Sequence, residues 1–192
     1  MIEVGRSKRV AAPAEGHRSA ILRHMPGDLG ETAVIRREAP GDEPSIHRVH
    51  LLAFSSSAEP DLVDALRRSG SAVLSLVAEI DGEIVGHVLF SRLDAPMRAL
   101  ALAPVGVLPE RQGRGVGSLL IRTGLREAQK EGWSAVFVVG DPAYYERFGF
   151  NVGAAESFQS PYAGEFFQVC LFDASGPRQG AIAYPAPFAA ME

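Results

Sequence analysis

The feature that most constrains the fold is a glycine-rich turn between an apolar strand and an amphipathic helix. The turn has Gly113, Gly115 and Gly117 at alternate positions. Glycine adopts positive φ and lets bare backbone approach a ligand, and the first N–H groups of a helix have no partners within it. With the helix dipole and the charges of Arg111 and Arg114, the turn is suited to binding phosphate groups.

Two common phosphate-binding motifs do not fit this turn. The P-loop requires G-x-x-x-x-G-K-[ST], which is absent, and the dinucleotide motif G-x-G-x-x-G fails because Ser118 stands at its third glycine. A turn that merely packs a helix on a sheet is the structural alternative. The glycines alone do not decide between these two interpretations.

A hairpin precedes the turn. Residues 73–80 and 84–90 are rich in strand-forming side chains, and Asp81-Gly82 between them is typical of a type I′ turn. A third strand follows at residues 98–108. Pro104 and Gly106 interrupt it, which predicts a bulge or a close approach of another backbone.

The remaining segments alternate between strand and helix patterns. Further strands are predicted at residues 32–37, 134–139, 150–152 and 166–172, and helices at 59–68, 115–130 and from Asp141-Pro142 to Gly149. An earlier helix is predicted because Ile46, Val49, Leu52 and Ala53 recur at helical spacing. Trp133, Phe137, Phe148 and Phe150 are predicted core residues. This alternation predicts a mixed sheet with helices on both faces.

Composition indicates one folded domain with arms. The chain has 192 residues, 46% hydrophobic and 22% charged, with a net charge of −4, which disfavours binding to nucleic acids or anionic membranes. We expect an N-terminal extension with little structure at residues 1–30, the domain at 31–174, and a C-terminal arm packed on it at 175–192. The first residues do not resemble a secretory signal, and no apolar run approaches the ~20 residues that span a bilayer.

Cysteine and histidine usage gives no sign of a metal site. Cys170 is the only cysteine, so no intrachain disulfide forms, which is consistent with a reducing, cytoplasmic location. His47 and His50 stand at helical i, i+3 spacing without a carboxylate or cysteine at ligand spacing. We interpret them as a polar helix face and expect no metal.

Two motifs together resemble a known family. Gln112-x-x-Gly115-x-Gly117, after its strand, resembles the acetyl-CoA motif of the GNAT superfamily of N-acetyltransferases. The block GDPAYYERFGF, residues 140–150, is similar to the second motif of that superfamily in one branch of small bacterial-type enzymes. The resemblance covers residues 33–172, and the tail sequence IAYPAPF is also similar to that branch. It implies an α/β fold with a mixed, mostly antiparallel sheet of six to seven strands, splayed in a V for acetyl-CoA.

The resemblance implies transfer of an acetyl group from acetyl-CoA to a primary amine of a small molecule or peptide, by direct attack through a tetrahedral intermediate. The main chain of Val105, Gly106 and Val107 would pair with pantetheine, as in β-augmentation. A bulge amide would stabilise the oxyanion. The pyrophosphate would be held by Gln112, Gly113, Arg114, Gly115, Val116, Gly117 and Ser118. Homodimers are common in the family, and the sequence specifies no interface.

A tyrosine is the candidate proton donor to the leaving thiolate. Tyr144 and Phe148 are spaced i, i+4, so we expect both to face the core and Tyr145 to be rotated by about 100° toward the cleft. The resemblance also places Tyr145 at the family's general-acid position. Glu38, Glu79 and His87 are candidates for the base, and none is assigned.

Two other functions remain open from the sequence. The first is a non-catalytic acyl-CoA-binding or sensor domain of the same fold. The second is a module that binds ATP or NAD through the same turn, which the absent P-loop lysine and incomplete dinucleotide motif disfavour. In the family, the acceptor pocket would be built from residues 42–70 and 153–192, whose sequence does not identify an acceptor.

Overall fold

The computed structural model describes residues 20–21, 33–54, 56–173 and 176–191. Within these ranges the α-helices are α1 (Glu43–Phe54), α2 (Ala58–Arg68), α3 (Val116–Lys130) and α4 (Pro142–Tyr145). The strands are β1 (Ala20–Ile21), β2 (Val34–Arg37), β3 (Ala72–Ile80), β4 (Glu83–Arg92), β5 (Ala99–Val107), β6 (Ala135–Val139), β7 (Phe158–Gln159), β8 (Phe167–Leu171) and β9 (Gly180–Ala181). Short 3₁₀ turns occupy Pro109–Arg111, Glu146–Phe148 and Ala186–Met191.

Seven of these strands form one sheet in the order β1-β2-β3-β4-β5-β6-β8. All of its neighbouring strands pair antiparallel except β5 and β6, which are parallel. A parallel pair needs a crossover connection, and α3 supplies it. A separate pair, β7 with β9, is parallel. The predicted mixed, mostly antiparallel sheet is therefore confirmed.

The β3–β4 hairpin closes through the predicted turn. Asp81 has φ of 50° and Gly82 has φ of 82°. Positive φ at both central residues defines a type I′ turn, whose twist matches that of the flanking strands. Ile80 and Glu83 pair directly across it.

Helices cover both faces of the sheet. Leu89 and Phe90 are adjacent in β4, so their side chains point to opposite faces. Leu89 packs in a core cluster with residues of α1 and α2, whereas Phe90 packs in a second cluster with residues of α3. The four predicted core aromatic residues, Trp133, Phe137, Phe148 and Phe150, are all buried.

Two local predictions were wrong. Residues 150–152 do not form a strand, because Asn151 makes only an isolated bridge to Val169. Leu52 is 42% exposed, because the buried stripe of α1 runs through Ile46, Val49, His50 and Ala53. These residues follow i, i+3, i+4, i+7 spacing, and position 52 lies outside that buried face of the helix.

The structure describes most of the predicted C-terminal arm but only two residues of the predicted N-terminal extension. Of residues 1–30, all but Ala20–Ile21, which pair with β2, lie outside the described residues. In the C-terminal segment, Ile182 and Phe188 are buried in the cluster that includes α2. Among the described helices, none has both the length and the apolar composition needed to cross a bilayer.

Close packing between α3 and β4 gives a test of the core. A Cβ added at Gly124 would lie 2.2 Å from Cε2 of Phe90. We expect Gly124→Ala to lower the free energy of unfolding by about 1–3 kcal/mol, since overpacking costs more than the ~1 kcal/mol that alanine gains in a helix. Urea denaturation measures the change.

Phe90→Leu provides the matched control in a double-mutant cycle. Leucine lacks the ring atoms that the new methyl group would strike, so the double variant should be more stable than the sum of the two single costs implies. Purely additive costs would contradict the proposed clash.

Candidate functional site

The sheet splits between β5 and β6. Their parallel ladder has three residue pairs, Ala99–Ala101 with Ala135–Phe137, although β5 continues to Val107. Beyond these three pairs, β5 remains paired with its antiparallel neighbour β4. On the other side, β6 pairs with β8 as far as Val139 and Phe167. The distal part of β5 therefore faces a wedge in which a ligand could pair with its backbone.

A bulge lies in β5 at the point where the wedge begins. Val105 pairs with Val88 and Leu102 pairs with Phe90, so two residues of β5 stand opposite one residue of β4. The extra residues are Ala103 and Pro104, which confirms the bulge that the proline predicted. A bulge redirects the backbone locally, as expected for a strand that departs from its neighbour.

The glycine turn follows β5 directly. Gly113 and Gly115 have φ of 71° and 81°, and Gly115 is the left-handed N-cap of α3. No side chain caps this end, and a Cβ added at either glycine would meet no atom within 4 Å. The first backbone bond into the helix runs from the Leu119 N–H to the Gly115 carbonyl, so the preceding helical N–H groups lack intrahelical acceptors.

The structure thus brings the two predicted sets of cofactor-contacting residues onto consecutive segments. Val105, Gly106 and Val107 line the free part of β5. The second set forms the exposed turn and the first turn of α3, and comprises Gln112, Gly113, Arg114, Gly115, Val116, Gly117 and Ser118.

Tyr145 lies near the end of β6. Its ring packs against Gly140, where an added Cβ would lie 2.4 Å from Cε2, and against Phe148 and Phe150. The orientation predicted for Tyr145 was wrong, because Tyr145 is 2% exposed, whereas Tyr144 is half-buried. Tyr144 does share a face with Phe148 as predicted, with ring centroids 5.4 Å apart. The segment is one α-turn followed by a 3₁₀ turn, whose i, i+3 spacing also turns Tyr145 toward the core.

Burial sets the protonation state of Tyr145. Desolvation, with a smaller contribution from Tyr144, raises the pKa of the Tyr145 hydroxyl well above its usual range. The phenol therefore keeps its proton at neutral pH.

The backbone around Gly140 is fastened to β8. The Gly140 N–H donates to the Phe166 carbonyl at 3.0 Å, and Gln168 Nε2 donates to the Gly140 carbonyl at 2.9 Å. These bonds hold the end of β6 on the side away from β5. Asp141 then caps α4 by accepting from the Ala143 N–H.

A buried pair of histidines lies on the opposite face of the sheet. His50 of α1 and His87 of β4 are both fully buried, with Nε2 of His50 2.7 Å from Nδ1 of His87. The ring of His50 packs on Gly106, where an added Cβ would lie 2.8 Å from Nδ1. Burial, with the charges of Arg67 and His47, lowers the pKa of His50 to about 3.

Hydrogen bonds continue from His87 to a carboxylate at the surface. His87 Nε2 lies 2.7 Å from Oγ of Ser75, whose hydroxyl donates to Glu38. Glu38 and Ser75 line a cleft of about 410 Å³ that opens to solvent. Burial, the charge of His50 and that of Arg67 hold the pKa of His87 well below its usual range.

The structure distinguishes the three candidate bases. Glu38 and His87 belong to one hydrogen-bonded chain, whereas Glu79 accepts from Arg36 at 2.9 Å. The sequence analysis missed His50, and its interpretation as part of a polar helix face was wrong. The signal was its place in the apolar stripe of α1, at i+4 from Ile46.

No set of three or more His, Cys, Asp and Glu side chains within the described ranges is arranged to hold a metal ion.

Residues 43–150 match the acetyltransferase (GNAT) family. Two Escherichia coli K12 proteins named uncharacterized N-acetyltransferases are similar to this chain. YjhQ is 42% identical over 130 residues, which are 63% of this chain and 71% of YjhQ. YhbS is 36% identical over 135 residues, which are 68% of this chain and 81% of YhbS.

Solved structures resemble this chain over most of its length. The Escherichia coli YhbS structure in complex with CoA has a TM-score of 0.77 and 33% identity, and the match covers 87% of this chain and 96% of that one. A GNAT family acetyltransferase from Brucella melitensis in complex with acetyl-CoA has a TM-score of 0.68 and 37% identity. That match covers 81% of this chain and 97% of the Brucella chain.

The buried histidines predict how stability depends on pH. Unfolded histidines take up protons below about pH 6.5, whereas His50 stays neutral in the fold down to about pH 3. The neutral, buried ring of His50 therefore makes its full contribution to the free energy of unfolding above about pH 6.5, and this contribution is lost as the pH falls. We expect His50→Gln to reduce the slope of unfolding free energy between pH 6 and 5 by about 1 kcal/mol per pH unit.

Urea denaturation at several pH values measures this slope. His47→Gln is the matched control, because His47 lies on the same helix and is partly exposed beside Asp64. An equal change of slope in both variants would contradict the assignment to the buried ring.

Proposed function

This chain belongs to the acetyltransferase (GNAT) family, and from that premise we propose that it transfers an acetyl group from acetyl-CoA to a primary amine. The acceptor is a small molecule or a peptide. The observation that carries the proposal is the wedge between β5 and β6 leading into an uncapped, glycine-rich helix N-terminus. The CoA and acetyl-CoA complexes of the two solved relatives support the same ligand.

The residues fit the two polar parts of the cofactor. An extended pantetheine arm carries amides that can pair with the free edge of Val105, Gly106 and Val107. The diphosphate requires N–H donors and positive charge without steric obstruction. The open space at Gly113 and Gly115 and the dipole of α3 meet that requirement.

The bulge supplies a donor for the reaction. The thioester provides an electrophilic carbonyl whose oxygen becomes negatively charged when an amine attacks. We propose that the Val105 N–H, just past the bulge, donates to that oxygen. A fixed backbone donor at a developing oxyanion commonly contributes a few kcal/mol.

Tyr145 is proposed as the donor to the departing sulfur. A phenol carries its proton at neutral pH, so the Tyr145 hydroxyl can donate a hydrogen bond or its proton to a thiolate. Its ring is fixed against Gly140 at the end of β6, one of the two strands that border the wedge. Packing on Phe148 and Phe150 limits its motion.

Gly115→Ala tests the anion site. Alanine at φ of 81° is strained by about 1 kcal/mol, and its methyl group would project into the space proposed for the diphosphate. We expect the dissociation constant for CoA, measured by isothermal titration calorimetry, to rise at least about 10-fold, which corresponds to about 1.4 kcal/mol.

Gly70→Ala is the matched control. Gly70 also has positive φ, 70°, with no atom within 4 Å of an added Cβ, but it follows α2. It should lose similar stability and bind CoA as the wild type does. Equal CoA affinity in both variants would argue against the proposed diphosphate site.

Tyr145→Phe tests the proton donor. A panel of amines is first screened for thiol release from acetyl-CoA by the wild-type protein. With an accepted amine, we expect Tyr145→Phe to lower kcat by about 100-fold and to leave the dissociation constant for acetyl-CoA unchanged, because only the hydroxyl is lost.

Tyr144→Phe removes the neighbouring hydroxyl and should retain wild-type kcat. If Tyr145→Phe also retains it, Tyr145 is not the donor. If no amine promotes thiol release while CoA binds, the chain is a CoA-binding domain without this activity.

A further inference from the structure

The chain of hydrogen bonds from His50 to Glu38 has a direction. An ionised carboxylate only accepts, so Ser75 spends its single proton on Glu38. The Ser75 oxygen must then accept from Nε2–H of His87, which leaves Nδ1 of His87 as an acceptor. His50 therefore donates from Nε2, and its Nδ1 carries a lone pair.

That lone pair has no partner. Nδ1 of His50 is buried and has no hydrogen-bond partner among the residues that the structure describes. It packs on Gly106, the residue after Val105 on the free part of β5. A buried acceptor without a donor is costly, and a water or ligand that donates a proton to Nδ1 would remove that cost.

We propose that His50, His87, Ser75 and Glu38 form a proton relay that removes the proton of the acceptor amine and leaves a proton on Glu38, beside the surface cleft, until the product departs. This inference rests on the proposed function and adds the base that the sequence left unassigned. His50 contacts the reacting groups through one water molecule, and the other three residues act through it.

The relay compensates for the low basicity of the buried His50 ring. An imidazolium at His50 would be buried beside the charge of Arg67, and the resulting low pKa makes His50 by itself a weak base. Passing the charge along the chain ends in neutralisation of Glu38, whose side chain is 14% exposed beside the cleft.

The proposed reaction moves one proton away from the amine nitrogen and another onto the leaving sulfur. The amine nitrogen forms its bond to the acetyl carbon, and its proton passes through water to Nδ1 of His50. His50 gives its Nε2 proton to Nδ1 of His87, His87 gives its Nε2 proton to Ser75, and Ser75 gives its proton to Glu38. The C–S bond then breaks with its electron pair on sulfur, which takes a proton from Tyr145. After product release these transfers reverse, Nδ1 loses its proton to water, and Tyr145 regains one from water.

Charged groups surround the outer end of the chain. Nε of Arg67 lies 2.7 Å from Oε1 of Glu38. Asp64 pairs with Arg67 at 2.8 Å and with His47 at 3.0 Å. The described contacts of Glu38 thus include a cation, and the relay is loaded when that carboxylate is ionised.

Glu38→Gln tests the relay because the glutamine oxygen would face the donor-only guanidinium of Arg67, as Oε1 of Glu38 does, and its NH2 group would then stand where Oε2 now accepts from Ser75. The glutamine amide would donate to Ser75, so Ser75 would donate to His87 and His50 would carry its proton on Nδ1. We expect ¹⁵N spectra of histidine-labelled protein at pH 7 to show His50 protonated on Nε2 in the wild type and on Nδ1 in the variant. With an accepted amine, kcat should fall by about 100-fold at unchanged acetyl-CoA affinity.

Two controls separate the relay from a structural role. Glu79→Gln, a carboxylate bound to Arg36 outside the chain, should change neither tautomer nor kcat. Glu38→Asp keeps a carboxylate at this position, so this variant should show the wild-type tautomer of His50 and should retain part of the wild-type kcat. A fall in kcat without the tautomer change, or the tautomer change without a fall, overturns the proposal. If the wild type acetylates no amine, the proposed function fails and the catalytic role of the relay with it, whereas the spectra still report the orientation of the chain.

Discussion

The departure of β5 from β6 after three residue pairs is the constraint on which the rest of the site depends. Each strand keeps its antiparallel neighbour, so the sheet stays intact although its centre opens. The bulge at Ala103 and Pro104 turns β5 away, and the bonds of Gly140 to Phe166 and Gln168 hold β6 against β8. A parallel pair tolerates this opening because the remaining backbone groups of β5 can pair with an extended ligand, which restores the hydrogen bonds that the sheet lacks there.

The same opening explains why small residues recur around it. Gly106 admits the ring of His50 on one face of the sheet, and Gly140 admits the ring of Tyr145. A methyl group at either position would displace an aromatic ring from the strands that border the wedge. Glycine in a strand weakens it, since no side chain packs there, so Gly106 lowers the stability of β5 where it allows the ring of His50 to approach.

The sequence predicted much of this because its signals were local. The type I′ turn at Asp81-Gly82 and the strand–glycine turn–helix order at Gly115 follow from the φ preferences of glycine and the period of apolar residues. The sequence did not predict the orientation of Tyr145, since one α-turn continuing as 3₁₀ does not follow ideal helix spacing. It also did not predict the pairing of His50 with His87, because the two residues are 37 positions apart and meet only when α1 packs on β4. The place of His50 in the apolar stripe of α1 could have indicated its burial, but its contact with His87 depends on tertiary packing.

The two proposed proton-transfer groups lie on opposite sides of the split sheet and differ in which protonation state burial favours. Tyr145 packs in the cluster that contains α3, and desolvation keeps its hydroxyl protonated. His50 lies on α1, and desolvation keeps its ring neutral with a lone pair on Nδ1. Burial alone would keep the phenol protonated and the imidazole neutral, so that neither group would exchange a proton. In the proposed reaction, the departing thiolate would accept from Tyr145. The hydrogen-bonded chain to Glu38 would move the charge gained by His50 out of the core. Amide formation needs a proton removed from nitrogen and one supplied to sulfur, and one desolvated site can do both only if separate groups are tuned in opposite directions.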